Sequence, residues 1–257
     1  MNPPEEILIV GTGNLAAHLV SALSKAGGYW IHVASRDHLK AQKFCNRFGG
    51  TPFSEKETNV FSAVFLAVTD QVIEETAARY ARYGKILFHT SGSTSMEALK
   101  NHHHAYGVFW PLQTFSQDRP VQWSDLPVCL ESSNADAEKH LQQIVASLGA
   151  KAVNIDSAHR IKMHIAAVFV CNFTNHLYAL ADIWCRENQL DFDLLKPLIS
   201  ETANKIQNLS PPEAQTGPAK RHDVVTMNKH TEQLQNHPSL LEIYELISRQ
   251  IQHRYKI

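Results

Sequence analysis

Residues 7–16 read Ile7-Leu8-Ile9-Val10-Gly11-Thr12-Gly13-Asn14-Leu15-Ala16, an apolar run entering G-x-G-x-x-A. This spacing suits a dinucleotide. The first glycine allows a tight turn, the second lets the backbone approach a pyrophosphate, and Ala16 permits close packing of helix on strand. The pyrophosphate would rest on the backbone of Thr12, Gly13, Asn14 and Leu15, where unpaired N–H groups and the helix dipole favour negative charge. A turn kept only for packing could use the same glycines, but strand, helix and second strand all stand in the order a dinucleotide site needs.

The end of the second strand selects the dinucleotide. An NAD enzyme usually carries Asp or Glu there for the ribose 2′-hydroxyl; this chain has Val33-Ala34-Ser35-Arg36-Asp37. A hydroxyl followed by a guanidinium suits a 2′-phosphate, because Arg offers a planar fork to phosphate oxygens. NADP(H) is therefore expected, with Ser35 and Arg36 on the phosphate and Asp37 capping the next helix. Two more strand ends should border the cofactor. In Ala67-Val68-Thr69-Asp70-Gln71 the small Ala67 and Val68 let a dinucleotide pass and Thr69 and Gln71 can bond it. In His89-Thr90-Ser91-Gly92-Ser93, Thr90 is expected against the cofactor and Ser91 beside the reacting centre. A capping box Thr94-x-x-Glu97 would close that turn and leave both hydroxyls free.

A third set lies on a helix that begins near Ser157. At about 100° per residue, Arg160, His164, Cys171 and Asn175 share one stripe and the other faces are Ala, Ile, Val and Phe. That pattern predicts a buried helix with one polar seam. His164 is the candidate proton donor or acceptor, the partner that hydride transfer to or from a carbonyl or imine requires. A core histidine satisfied by neighbouring helices is the competing reading. His102-His103-His104 reads as a loop, since consecutive side chains diverge, and no metal is expected. There is no G-x-S-x-G elbow for a serine hydrolase.

These residues need a frame. Apolar runs at Ile7–Val10, Trp30–Ala34, Ala63–Val68, Lys85–His89 and Ala105–Phe109 alternate with helical patterns at Asn14–Ala26, Asp37–Phe48 and Asp70–Tyr83. Gly49 and Gly84 are expected as left-handed caps of the second and third helices. Pro127–Glu131, a helix over 134–147 and Ala152–Ile155 extend the sheet. The pattern predicts an α/β Rossmann fold, doubly wound with a mainly parallel sheet, over residues 1–156. An all-α domain follows over 157–257, with helices at Ser157–Glu187, Asp193–Gln207, Val224–Gln235 and Ser239–Tyr255, the last opening on a capping box Ser239-x-x-Glu242. Residues 209–223 form a long non-periodic stretch.

Composition narrows the setting. The 257 residues carry 24 Lys+Arg against 25 Asp+Glu, a net charge of −1, so no basic field grips nucleic acid. The longest apolar run, Ile165–Cys171, is far short of the roughly 18 residues a membrane span needs. Cys45, Cys129, Cys171 and Cys185 form no C-x-x-C pair and read as reduced thiols. The first residues lack a signal-peptide pattern, so a cytoplasmic protein is expected.

Six motifs taken together, GTGNLAAHL at 11–19, ASRD at 34–37, HTSGS at 89–93, GVFWPLQTF at 107–115, KMHIAAVFVCNF at 162–173 and TGPAKRHD at 216–223, resemble a bacterial family of Rossmann-like NADP oxidoreductases whose helical C-terminal part is a domain of unknown function. The layout is more distantly similar to pyrroline-5-carboxylate reductases, prephenate and arogenate dehydrogenases, 6-phosphogluconate dehydrogenases and deazaflavin-dependent NADP reductases. The resemblance implies a helical domain that builds a homodimer and an active cleft between the domains. It also implies cleft roles for Ser91, Pro111-Leu112-Gln113, His164, Asn172 and the 216–223 loop. Trp110 stands where many relatives have histidine, and His222 where glycine is usual. Cys171 stands where a lysine would precede Asn175 in β-hydroxyacid dehydrogenases, which argues against lysine-based acid catalysis.

The resulting expectation is an NADP-dependent oxidoreductase acting on a small polar carbonyl, hydroxy or imine substrate, with His164, Ser91 and Asn172 as catalytic candidates. A pyrroline-5-carboxylate-type imine reductase and a non-catalytic NADP-binding sensor are the alternatives.

Overall fold

The computed structural model describes residues 3–55 and 60–255. Strands β1 (Glu5–Val10), β2 (Tyr29–Ala34), β3 (Thr51–Pro52), β4 (Ala63–Leu66), β5 (Leu87–His89), β6 (Tyr106–Pro111), β7 (Pro127–Ser132) and β8 (Lys151–Asn154) form one sheet in the order β3-β2-β1-β4-β5-β6-β7-β8. All neighbours are parallel except β6 and β7. Helices α1 (Asn14–Ala26), α2 (His38–Phe48), α3 (Ile73–Tyr80) and α4 (Ala135–Ser147) make the crossovers. β1 is covered on both faces, which is why Ile7, Leu8 and Ile9 are all fully buried and the run does not alternate. It lies between β2 and β4, where the strand order reverses, and the crevice beyond its C-terminal end is the expected ligand site.

The expected α/β frame is present, with local corrections. The two-residue edge strand β3 was not expected; its Pro52 cannot donate to a ladder, a restriction an edge tolerates. Gly49 has a positive φ of 96° but an extended ψ of −178°, and Gly84 is extended at φ −121°, so neither is the left-handed helical cap expected. A Cβ at Gly84 would lie 2.6 Å from Val64 Cγ2, so tertiary packing demands that glycine. Neither expected capping box forms. Ser95 caps the short 3-10 turn over 96–99, and Pro238 at the start of the last helix displaces the cap from Ser239.

Helix α5 (Ser157–Ala167) continues through a π-helical stretch, Val168–Phe173, into α6 (Thr174–Glu187). The expected single helix over 157–187 is thus unbroken but not uniform. Secondary structure changes class at Asp156, whereas the chain divides into compact units at 172/173, sixteen residues later, because α5 is packed into the first unit. In the second unit, α6, α7 (Lys196–Asn208), α8 (Pro211–Ala214), α9 (Val224–Leu234) and α10 (Pro238–Arg254) are the α-helices, with no strand among the described residues. Part of the stretch expected to lack structure is helical, since Ser210 and Glu213 form a capping box for α8. Beyond it His222 holds a left-handed φ of 54°, a conformation that favours glycine, and its Nε2 bonds the Tyr255 carbonyl at 2.9 Å.

What ties α5 to the sheet is Arg160, which has no exposure to solvent. Its Nη1 donates to the carbonyls of Ser91, Gly92 and Thr94 at 2.9, 3.3 and 2.8 Å. Its Nη2 donates to Glu131 Oε2 at 3.1 Å and Ser157 Oγ at 2.9 Å. Glu131 on β7 in turn accepts from the Ser157 backbone and hydroxyl at 2.9 and 2.7 Å, and Ser157 Oγ accepts from Met96 N at 2.9 Å. One buried cation thus joins a strand, a helix start and the loop after β5. Removing one member of a buried pair leaves the other charge uncompensated, so Arg160→Ala should cost about 3–5 kcal/mol in urea denaturation. A loss below about 1 kcal/mol would show that the network does not hold the fold.

Candidate cofactor and active site

Gly11 ends β1 at a φ of 129°, and a Cβ there would sit 2.1 Å from the Ala67 carbonyl oxygen beyond β4. Protein packing alone forbids any side chain. Gly13 is different: its φ is −81°, open to any residue, and a Cβ would meet nothing within 4 Å. It caps α1 with no side-chain bond to the helix N-terminus, leaving the first amides of the helix without a protein cap. Nothing in the chain itself requires the second glycine, whereas an anion lying against the backbone does.

A cavity of about 500 Å3 opens beside this turn and is lined by Gly11, Thr12, Gly13, Ser35, Arg36, Ala67, Val68 and Thr69, all expected for the cofactor. The size is that of a small-molecule site. Asp37 is occupied, because its carboxylate accepts from Leu39 N at 2.9 Å and Lys40 N at 3.4 Å to cap α2. Both cap bonds fall on Oδ1, and Asp37 stays in the cavity lining, but Arg36 and Lys40 outweigh its charge and give that corner a net positive charge. These residues fit a phosphorylated dinucleotide.

Three expected cofactor residues do other work. Asn14 Nδ2 donates to the Phe115 carbonyl at 2.8 Å, and one turn on, His18 Nε2 bonds the Ser116 carbonyl at 2.9 Å, strapping the β6–β7 loop across α1. The Leu15 side chain packs against the core. Thr90 Oγ1 donates to the Leu66 carbonyl at 3.2 Å. Gln71 is exposed and does not line the cavity. The backbone amides of Asn14 and Leu15 keep their place in the first turn of α1.

The loop after β5 carries the second cluster. Ser91 is buried, and its Oγ accepts from Ser93 N at 3.1 Å and Thr94 N at 2.9 Å, so the hydroxyl expected to be free instead shapes the turn and keeps only its own proton to give. Gly92 is wedged: a Cβ would lie 2.7 Å from Trp110 Cε2 and 2.8 Å from His164 Nδ1. His164 meets the edge of Trp110 with ring centroids 5.7 Å apart. Half-buried, it hydrogen-bonds no described residue, so its nitrogens remain available. His89 beneath the loop accepts from Ser91 N through Nδ1 at 3.1 Å, and burial, reinforced by the Arg160 charge, lowers its pKa to about 3. It is neutral at any physiological pH and is no acid–base partner.

The stripe from Arg160 to Asn175 holds only at its start. Arg160 points inward and His164 lies against Gly92, but the π stretch turns each residue by less than the α-helical step and breaks the register before Asn175. Asn172 sits in that stretch, exposed, with no hydrogen bond to Ser91 or His164 among the described residues. The helix is not the buried one expected either: Ile165 and Val170 are 54% and 75% exposed. Local periodicity records which side chains want cover, not whether the same chain provides it.

The cavity also takes in Lys40, Thr76, Arg79 and Tyr80, which the sequence reading missed. Lys40 is the third residue of α2, in its first turn, and could have been found from the capping position of Asp37. The α3 residues lie too far along the chain from the fingerprint to be assigned without the packing of that helix. Among the described residues no group of three or more His, Cys, Asp or Glu could hold a metal ion, and no helix is long and apolar enough to cross a membrane.

A solved structure of a candidate NADP oxidoreductase from Bacteroides fragilis is 33% identical over 97% of this chain and 98% of that one, with a TM-score of 0.89. The chain belongs to that family of NADP oxidoreductases. Residues 6–91 match the family model described as NADP oxidoreductase coenzyme F420-dependent, and residues 126–251 match Domain of unknown function (DUF2520). The 1-pyrroline-5-carboxylate reductase of Streptococcus pyogenes shares the fold at 10% identity, with 97% and 99% coverage and a TM-score of 0.65. So does prephenate dehydrogenase of A. aeolicus, solved with hydroxyphenyl propionate and NAD+, at 14% identity, 99% and 94% coverage and a TM-score of 0.60. No curated protein matches the chain.

For a member of this NADP oxidoreductase family the two glycines should separate cleanly. Gly11→Ala should cost about 2 kcal/mol or more, since it adds a backbone clash to a disfavoured φ. Gly13→Ala should cost at most about 1 kcal/mol, the scale of a helix cap, while reducing dinucleotide affinity at least about tenfold. Denaturation and calorimetric titration of both variants test this; intact affinity in folded Gly13→Ala would remove the cradle assignment.

Proposed function

We propose that this protein transfers a hydride between NADP(H) and a small polar carbonyl, hydroxy or imine substrate. The observation that carries the reading is Gly13, a glycine that nothing in the chain demands at the uncapped start of α1, beside a cavity whose ribose corner is cationic. NADP(H), when bound, supplies or accepts the hydride. The amides at the start of α1 hold the pyrophosphate, Ser35 and Arg36 hold the 2′-phosphate, and Ala67, Val68 and Thr69 border the chain of the cofactor towards the loop after β5. His164 gives or takes the proton on the substrate oxygen or nitrogen, and Trp110 and Gly92 hold its ring in place. Ser91, with both backbone bonds directed to its oxygen, offers its hydroxyl proton to the substrate from a rigid turn.

Titration with NADPH and NADH side by side, repeated on Arg36→Ala, tests the cofactor. NADPH should bind at least about tenfold tighter, roughly 1.4 kcal/mol, and the substitution should erase the gap. In a screen of carbonyls and imines, His164→Ala should keep NADPH affinity and lose about 10²–10⁴-fold in kcat. Undiminished turnover in that variant would remove the proton role, and tight NADPH binding with no turnover of any substrate would favour a sensor.

The protein also works as a cytoplasmic homodimer in this reading. Ile165 and Val170 on the central helix, Leu194 in the 3-10 turn before α7 and Leu198 in the first turn of α7 are all more than half exposed. Within the second unit an apolar cavity of about 540 Å3 separates α6 from α10, lined by Leu177, Trp184, Leu240, Ile243, Ile247 and Ile251. Apolar surface on this scale marks an interaction site, and a second copy offers the same surface in return. Sedimentation velocity at micromolar concentration should show a dimer; a monomer would overturn it.

A further inference from the structure

The adenosine end of the cavity has two walls. One is the end of β2 with Ser35 and Arg36, continued by Lys40 in α2; the other is α3, where Thr76, Arg79 and Tyr80 line the same space. Their spacing of i, i+3 and i+4 puts them on one helix face, so Arg79 belongs to the face turned to the cavity. Its guanidinium is half exposed and gripped from one side: Nε and Nη2 contact Glu55 Oε1 at 2.7 and 2.5 Å. Tyr80 donates its hydroxyl to the same oxygen at 3.2 Å, and Tyr83 donates to the Glu55 backbone carbonyl at 3.3 Å. The acidic side chains in the lining are Glu75 of α3 and Asp37, whose Oδ1 caps α2.

Resting on the NADP reading above, we infer that Arg79 is a second determinant of selectivity for the 2′-phosphate, delivered from α3 to face Arg36, and that Glu55 is the stand-in anion that the phosphate displaces. An exposed ion pair contributes little, about 0–1 kcal/mol, so Glu55 gives up the guanidinium readily. A phosphate offers more charge and several oxygens to the same planar fork, and its charge-assisted bonds are stronger. Until then the carboxylate and the Tyr80 hydroxyl hold Arg79 at the rim of the cavity in an ordered position, which lowers the conformational cost of binding. Arg36 and Arg79 thus act from opposite walls, and Glu55 sets the threshold an incoming anion has to meet.

The probes are adenosine 2′,5′-bisphosphate and adenosine 5′-monophosphate, which carry the adenosine end without a nicotinamide and need no turnover. Calorimetric affinities of both, and of NADPH, are measured on the full chain, on Arg79→Gln, on Glu55→Gln and on Arg36→Ala. Arg79→Gln should weaken the bisphosphate about two- to fivefold and Glu55→Gln should tighten it by a similar factor, the range of an exposed ion pair, with the monophosphate unchanged in both. Opposite signs cannot come from a shared loss of folding. If the full chain prefers the bisphosphate and Arg36→Ala lowers that preference while neither Arg79→Gln nor Glu55→Gln moves it, the role of Arg79 is overturned and the NADP reading stands. Weakening by Glu55→Gln would likewise overturn the stand-in role. If the full chain neither prefers the bisphosphate nor binds NADPH, the NADP reading falls and this inference with it.

Discussion

A guanidinium shut away from water must find its hydrogen-bond acceptors inside the protein, and Arg160 finds them in three separate parts of the chain. Three carbonyls of the loop after β5, the Glu131 carboxylate on β7 and the Ser157 hydroxyl at the start of α5 all converge on it. Of its three nitrogens, only Nε has no hydrogen-bond partner among the described residues. Because the cost of an unpaired buried charge is high, these three elements cannot shift independently. The loop is pinned beneath by Arg160 and closed above by Trp110 and His164, with Gly92 as the one residue thin enough to pass between them. The same cation helps keep His89 neutral. The proton-handling histidine proposed here is therefore the partly exposed His164, one helical turn beyond the clamp.

The cofactor end rests on a different constraint, the packing of parallel strands. β1 and β4 run side by side, and the close approach of their ends leaves no room for a side chain at Gly11. That approach sets the turn, the turn aims α1, and the open amides of α1 create a positive end that needs no charged residue. Charged side chains enter at the end of β2, with Arg36, Asp37 and Lys40, and from α3, with Glu75 and Arg79. The β6–β7 strap held by Asn14 and His18 shows a side chain of the fingerprint turned to fold maintenance, while its backbone amide stays in the first turn of α1.

Along the central helix the chain changes character. Up to Ala167 it is fastened to the first unit through Arg160, and past the π stretch it belongs to the second. A stretch with one more residue per hydrogen-bonded turn alters which side chains share a face. It leaves Val170 and Phe169 largely exposed.

By itself the sequence determined the order of the longer strands and helices, though not β3 or α8, together with the glycine turn, the Ser35-Arg36 pair at the end of β2 and the part played by Asp37, because each depends on residues within about a turn or a strand of one another. α1 is observed with the predicted ends, and the unbroken run over 157–187 was legible from its apolar content. Only the tertiary structure decided the rest. Gly84 is a glycine because of Val64, Ser91 is a turn former because of Ser93 and Thr94 in their folded positions, and Arg160 is a clamp because β7 brings Glu131 to it. The π stretch defeated a stripe drawn with one constant angle. Arg79 entered the cavity wall because α3 packs beside β4, a contact no local pattern records. Short-range propensities and periodicities are written along the chain, while the roles of buried polar groups depend on acceptors that arrive from elsewhere in it.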